Sequence, residues 1–127
     1  MSTPSGFNFE YLSGCLLVRA TGRFMIDQKE AAIKEIAEAL NAQSVNAALV
    51  DMREVEGPYT FMDRYQLGEL AGRYLSKIPL AVLALENQTD KQRIGQLVAV
   101  NRGAKMEVFT DPDAAMAWLK KHQSAGK

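Results

Sequence analysis

Catalysis needs reactive groups that can meet, and this chain offers few. Its only histidine is His122 and its only cysteine is Cys15. A nucleophile needs a base beside it, and a metal needs several nitrogen, sulfur or carboxylate donors; one of each, distant in sequence, supplies neither. Cys15 lies in an apolar run and reads as a buried structural thiol. His122 falls in the last turn of a final helix, where a partly cationic imidazole suits the negative end of the dipole. Gly68 and Gly72 are spaced G-x-x-x-G inside a helical stretch, and neither the dinucleotide fingerprint nor the P-loop signature occurs. Asp51 with Glu54 or Asp63 could do acid–base work as a carboxylate pair, but aspartates at strand ends and helix caps are commonplace. The chain therefore reads as a non-enzyme with no metal and no cofactor.

What does stand out is a concentration of recognition chemistry between residues 51 and 65. Asp51, Arg53, Tyr59, Asp63, Arg64 and Tyr65 fall within this short stretch. Tyrosine and arginine are over-represented among the residues that anchor interfaces. Arginine also suits carboxylate and phosphate recognition, which makes Arg53, Arg64 and Arg102 candidate contacts for an anion. The plainer alternative is that Arg64 and Tyr65 are a solvated helix face.

The elements that must position these residues follow from periodicity and punctuation. Phe7, Phe9 and Tyr11 alternate with polar residues as in a strand, Ser13-Gly14 is a turn dipeptide, and residues 15–20 are a second apolar run; together they predict a hairpin ending at Thr21-Gly22. Asp27 with Glu30 resembles a capping box, and Ile33, Ile36, Ala37 and Leu40 repeat with helical spacing. Residues 47–50 are uniformly apolar, as in a strand covered on both faces, and place Asp51 at its end. Gly57-Pro58 marks a turn from which Tyr59 is expected to project. Thr60 and Asp63 predict the start of a helix with a buried stripe of Leu67, Leu70, Ala71 and Tyr74. Tyr65 lies roughly 160° around that helix from Leu67, away from the stripe. Close backbone packing is the expected role of Gly68 and Gly72, since Asp63, Arg64, Glu69 and Arg73 exclude a membrane helix pair.

Residues 79–85 form another continuous apolar strand, and residues 87–90 supply polar caps. Ile94, Leu97, Val98 and Asn101 predict a helix stopped by Gly103. Residues 106–109 make a last strand, and Asp111-Pro112 starts a helix that turns Ala115, Trp118 and Leu119 inward. The order ββαβαβαβα implies an α/β domain: a single, mostly parallel sheet of about five strands with an antiparallel N-terminal hairpin and right-handed crossovers. The domain is expected over residues 7–122, with flexible tails at 1–6 and 123–127.

Size and charge narrow the partners. A chain of 127 residues fits one domain, and 47% hydrophobic with 24% charged residues is ordinary for a globular protein. Fifteen basic residues balance fifteen acidic ones, which argues against general nucleic-acid binding. No secretory leader is evident, and no apolar run approaches the roughly 20 residues that span a bilayer. A cytoplasmic location is expected. The first hairpin's free edge is a candidate for pairing two copies into a homodimer.

The stretch Phe61-Met62-Asp63, Leu67-Gly68 and Gly72-Arg73-Tyr74 resembles F-M-D-S-S-G-L-G followed by G-R-Y in bacterial anti-sigma-factor antagonists, the STAS or SpoIIAA-like proteins. Asp51-Met52 resembles their Asp-Leu strand end. Asp63-Arg64-Tyr65, residues 99–103, and the finish of Val108–Asp111 with Ala117-Trp118-Leu119 are similar to a group of bacterial STAS-like proteins. The resemblance implies the STAS fold and a non-catalytic regulatory module that docks a protein. In that family a kinase phosphorylates a serine at this helix start. Here Arg64-Tyr65-Gln66 replaces Ser-Ser-Gly, so the resemblance implies docking without the serine switch. The alternative function is a small-molecule binder for an anionic or lipid-like ligand.

Overall fold

A computed structural model describes residues 6–12, 14–57, 59–89 and 92–125. The strands Phe7–Leu12 (β1) and Cys15–Gly22 (β2) pair antiparallel from Phe7↔Ala20 to Leu12↔Cys15. Gly14 sits at the hairpin with φ +70, a conformation that favours glycine; Ser13 lies outside the described residues. Next come a short helix Phe24–Asp27 (α1), the helix Lys29–Ala42 (α2) and the strand Ala48–Val55 (β3). Helix Phe61–Tyr74 (α3), strand Pro79–Leu83 (β4), a 3-10 turn Glu86–Gln88, helix Ile94–Asn101 (α4), strand Lys105–Phe109 (β5) and helix Pro112–Ala125 (α5) complete the chain.

The sheet order is β1-β2-β3-β4-β5, with β2 through β5 parallel. When sequential parallel strands are neighbours, crossovers of one hand place all their helices on one face. Residue alternation shows the result. Leu16, Val18, Val50, Leu80 and Val82 share a core with Ile33, Ile36, Ala71 and Ala99 of α2, α3 and α4, and with Leu75 just past α3. Cys15, Leu17, Leu49, Ala81 and Leu83 point the other way, against Ala115 and Leu119 of α5. The unbroken apolar runs in β2, β3 and β4 are thus explained by burial on both faces. Cys15 is buried, and burial pushes its thiol above the ordinary value despite a backbone hydrogen bond from Leu49.

Several local expectations are corrected. Asp27 does not cap α2: the chain is already helical in α1, and Asp27 accepts from Arg23 Nε at 3.2 Å. Glu30, the other half of the expected box, instead accepts from the Tyr74 hydroxyl at 2.6 Å. Asp51 is not the end of its strand. The β3–β4 ladder stops at Asp51↔Leu83, but β3 continues beside β2, past an irregularity between Arg19 and Thr21, to Gly22↔Val55. Only residues 56–60 then link β3 to α3.

In α4, Ala99 is buried while Leu97 is 54% exposed. Residues 86–88 form a turn rather than helix caps, Asp90 lies outside the described residues, and Arg93 occupies the position before α4 with φ +50 and no side-chain cap. Trp118 is half-buried, packed between Phe109 and His122 rather than fully inward. Helix α5 runs to Ala125, beyond the expected boundary at 122. Gly6, placed in the tail, accepts from the Thr21 N–H at 2.7 Å; residues 1–5, 126 and 127 lie outside the described residues.

Candidate functional site

The start of α3 is built locally. The Thr60 hydroxyl accepts from the Asp63 N–H at 3.0 Å, and the Asp63 carboxylate accepts from the Thr60 N–H at 2.8 Å, a reciprocal box that satisfies two orphan donors. The same carboxylate pairs with Lys29 Nζ at 3.2 Å, tying α3 to α2. The Thr60 backbone bond, aided by Lys29 and opposed by desolvation, holds the Asp63 carboxyl below the usual aspartate value.

Beside it, at the carboxyl ends of β3 and β4, lies a polar knot around Gln88. Its Nε2 is within hydrogen-bond distance of Met52 O (2.9 Å), Val55 O (3.1 Å) and the Tyr59 hydroxyl (3.0 Å), while its Oε1 accepts from the Leu85 N–H at 2.7 Å. The Tyr59 hydroxyl donates to Val55 O at 3.1 Å. Arg64 Nη1 donates to Gln88 O at 2.9 Å, and its guanidinium carbon stands 5.3 Å from the centre of the Tyr59 ring. Tyr59 therefore folds inward instead of projecting from the turn. Burial raises its hydroxyl above the ordinary value, against the Gln88 hydrogen bond and the Arg64 and Arg23 charges. It is a neutral donor here.

The remaining sequence candidates disperse. Asp51 is chelated by Arg53, whose Nε and Nη2 donate at 3.0 and 2.9 Å in a bidentate pair. Burial opposes the charged Asp51 carboxylate, but the hydrogen bonds from the Arg53 side chain and backbone, with nearby positive charge, hold its value below normal. Tyr65 and Arg102 belong to the outer ridge between α3 and α4: Arg102 Nη2 donates to Glu69 Oε2 at 2.9 Å and to the Tyr65 hydroxyl at 3.3 Å. Arg53, Tyr59 and Arg64 thus share one surface cleft of about 330 Å³, whereas Asp63 turns toward α2 and Arg102 lines neither cavity described here. Gln88 was not singled out by the sequence reading; nothing in residues 85–89 distinguishes it from an ordinary turn glutamine.

Beneath the cleft is a second space, a chamber of about 110 Å³ between the sheet and α3. Tyr59, Arg64 and Gln88 line both. Among the described residues no group of three or more His, Cys, Asp or Glu side chains gathers to hold a metal ion, and no helix is long and apolar enough to cross a membrane. Over the first turn of α3 the surface is apolar: Phe61 is 60% and Met62 53% exposed.

Solved structures share this fold. The chain is similar to an anti-sigma factor antagonist from Mycobacterium paratuberculosis, with a TM-score of 0.59 and 18% identity, over 94% of this chain and 99% of that one. It is also similar to an uncharacterized protein with a SpoIIAA-like fold from Shewanella loihica PV-4, with a TM-score of 0.52 and 21% identity, over 94% and 98% of the two chains. The chain has the SpoIIAA-like, or STAS, fold. No protein-family model and no curated protein matches the sequence. In this SpoIIAA-like frame the cleft sits where open α/β sheets meet their ligands, outside the carboxyl ends of neighbouring strands, with the first turn of α3 at its side.

Proposed function

We propose that the chain is a non-catalytic regulatory module, bacterial and cytoplasmic, that docks a protein partner through the first turn of α3. The observation that carries this reading is the exposed pair Phe61 and Met62 on a rigid, capped turn. The charges beside the pair are already engaged within the chain, Asp63 with Lys29 and Arg64 with Gln88 O. What faces outward is apolar area, extended by the Tyr65 ring at 6.3 Å from Phe61. Aromatic residues and methionine are enriched at interfaces, and a preorganised turn reduces the ordering cost of binding. Likeness to an anti-sigma factor antagonist supports docking as the mode of action. With Arg64, Tyr65 and Gln66 at the switch positions, the docking proceeds without serine phosphorylation.

A homodimer formed through the outer edge of β1, where Tyr11 and Leu12 are exposed, would leave this face open. Affinity capture with a matched set of variants tests the proposal. Proteins retained by the parent are expected to be lost from Phe61→Ser/Met62→Ser and kept by Met116→Ser, which alters an exposed residue on α5. Identical capture by all three would overturn it.

A further inference from the structure

The chamber under α3 reaches about 110 Å³ and opens at its rim toward the surface. Its floor is Val50, Leu80 and Val82 of the sheet, and its roof includes Leu67 and Ala71 of α3. Away from the rim the lining is apolar, so water has few partners there. Met25, Met52 and Met106 also line it. Methionine is unbranched and adaptable, so walls of this kind reshape around a guest.

The rim has the opposite character. Thr89, Gln96 and Arg93 join Tyr59, Arg64 and Gln88 along the chamber lining, and all six are half-buried. The Arg93 guanidinium donates to Val108 O at 2.7 Å and has no carboxylate partner among the described residues. Two features therefore coincide at one place: an apolar space, and a rim carrying Arg93 and Arg64 that continues through Tyr59, Arg64 and Gln88 into the more polar cleft.

We infer that this chamber binds the tail of a small amphipathic acid, a medium-chain fatty carboxylate, with the acid group held at the Arg93 rim. A cavity of about 150 Å³ lined by aliphatic and aromatic groups holds benzene, so roughly four to six carbons fit this chamber before any wall moves. The rest of the chain and the carboxylate then lie between the rim and the cleft. Arginine suits that head group because its planar fork pairs with a carboxylate through two parallel hydrogen bonds.

The inference does not depend on protein docking, and Phe61→Ser/Met62→Ser is expected to bind the acid as the parent does. The test uses the full chain with sodium octanoate as the probe, 1-octanol as the same tail without charge, and acetate as the same head without a tail. Calorimetry and thermal melting are read together. Octanoate is expected to bind and raise the melting temperature, with acetate inert. Ala71→Leu, which fills the roof, should abolish binding of octanoate and octanol alike. Arg93→Gln alters the rim but keeps the apolar floor and roof, and should weaken octanoate about tenfold, with octanol unchanged, as expected for loss of a charge-assisted pair. Absence of octanoate binding to the folded parent at millimolar concentration would overturn the inference. Equal binding by the parent and Arg93→Gln, or an acetate response as large as octanoate's, would do the same.

Discussion

Truncating Gln88 to Ala would strand the Leu85 N–H and remove one donor group from Met52 O, Val55 O and the Tyr59 hydroxyl together. Because the site is half-buried, water replaces part of what is lost. A destabilisation of about 1–2 kcal/mol is expected, read as a lower urea midpoint with unchanged slope. Asp63 gives a prediction in pH. Its folded value is depressed, so its contribution is fully present above the unfolded aspartate value of about 3.9 and is lost as pH falls through the folded value. The melting-temperature gap between the parent and Asp63→Asn should therefore hold from pH 7 to pH 5 and close in stronger acid. A gap that widened on acidification would contradict the assigned hydrogen bonds. Thr60 as the cap, with Asp63 favouring the positive end of the helix, was legible in sequence; the reciprocal bond from the Thr60 N–H to Asp63 was not part of that expectation. The Tyr59–Gln88–Arg64 knot was not legible, since a turn glutamine carries no mark of the strand carbonyls it will meet.

Helices α3 and α4 approach through glycine. A Cβ on Gly68 would stand 2.5 Å from Gly95 O and 2.9 Å from Val98 Cβ, closer than real side-chain carbons come. Gly68→Ala would gain about 1 kcal/mol of helix propensity, but the neighbouring backbone cannot yield as a side chain would. Net destabilisation of about 1–3 kcal/mol is expected, whereas Gln66→Ala, exposed on the same helix, should be nearly neutral. Denaturant titration of both variants distinguishes these outcomes; a more stable Gly68→Ala would show that the helices have room to separate. The close packing of Gly68 and Gly72 was readable from their spacing. Its consequence for α4 was not: the approach uses Gly95 and Ala99, and Leu97 is left outside although its spacing alone suited a buried stripe. Asp27 failed as a cap for a related reason, because a preceding helical turn had already claimed it.

At the scale of the whole molecule, alternation of apolar runs with helical periods was enough to specify a mostly parallel five-stranded sheet with an initial hairpin. The runs at β2, β3 and β4 leave no face for water, and the structure covers both. Less legible was the extent of β3, whose last residues pair only with β2 and carry Arg53 and Val55 to the rim of the cleft. That extension makes the linker to α3 short and holds Phe61 and Met62 outward at the sheet's carboxyl end. The SpoIIAA-like frame thus offers one apolar turn beside a cleft, while the charges expected to recognise a partner are largely engaged with the chain itself. Hydrogen exchange of the chain alone and in complex with its captured partner tests the docking role most directly. Residues 61–66 are expected to gain protection in the complex while α5 stays unchanged; protection confined to α5 or β1, with residues 61–66 exchanging as in the free chain, would contradict it.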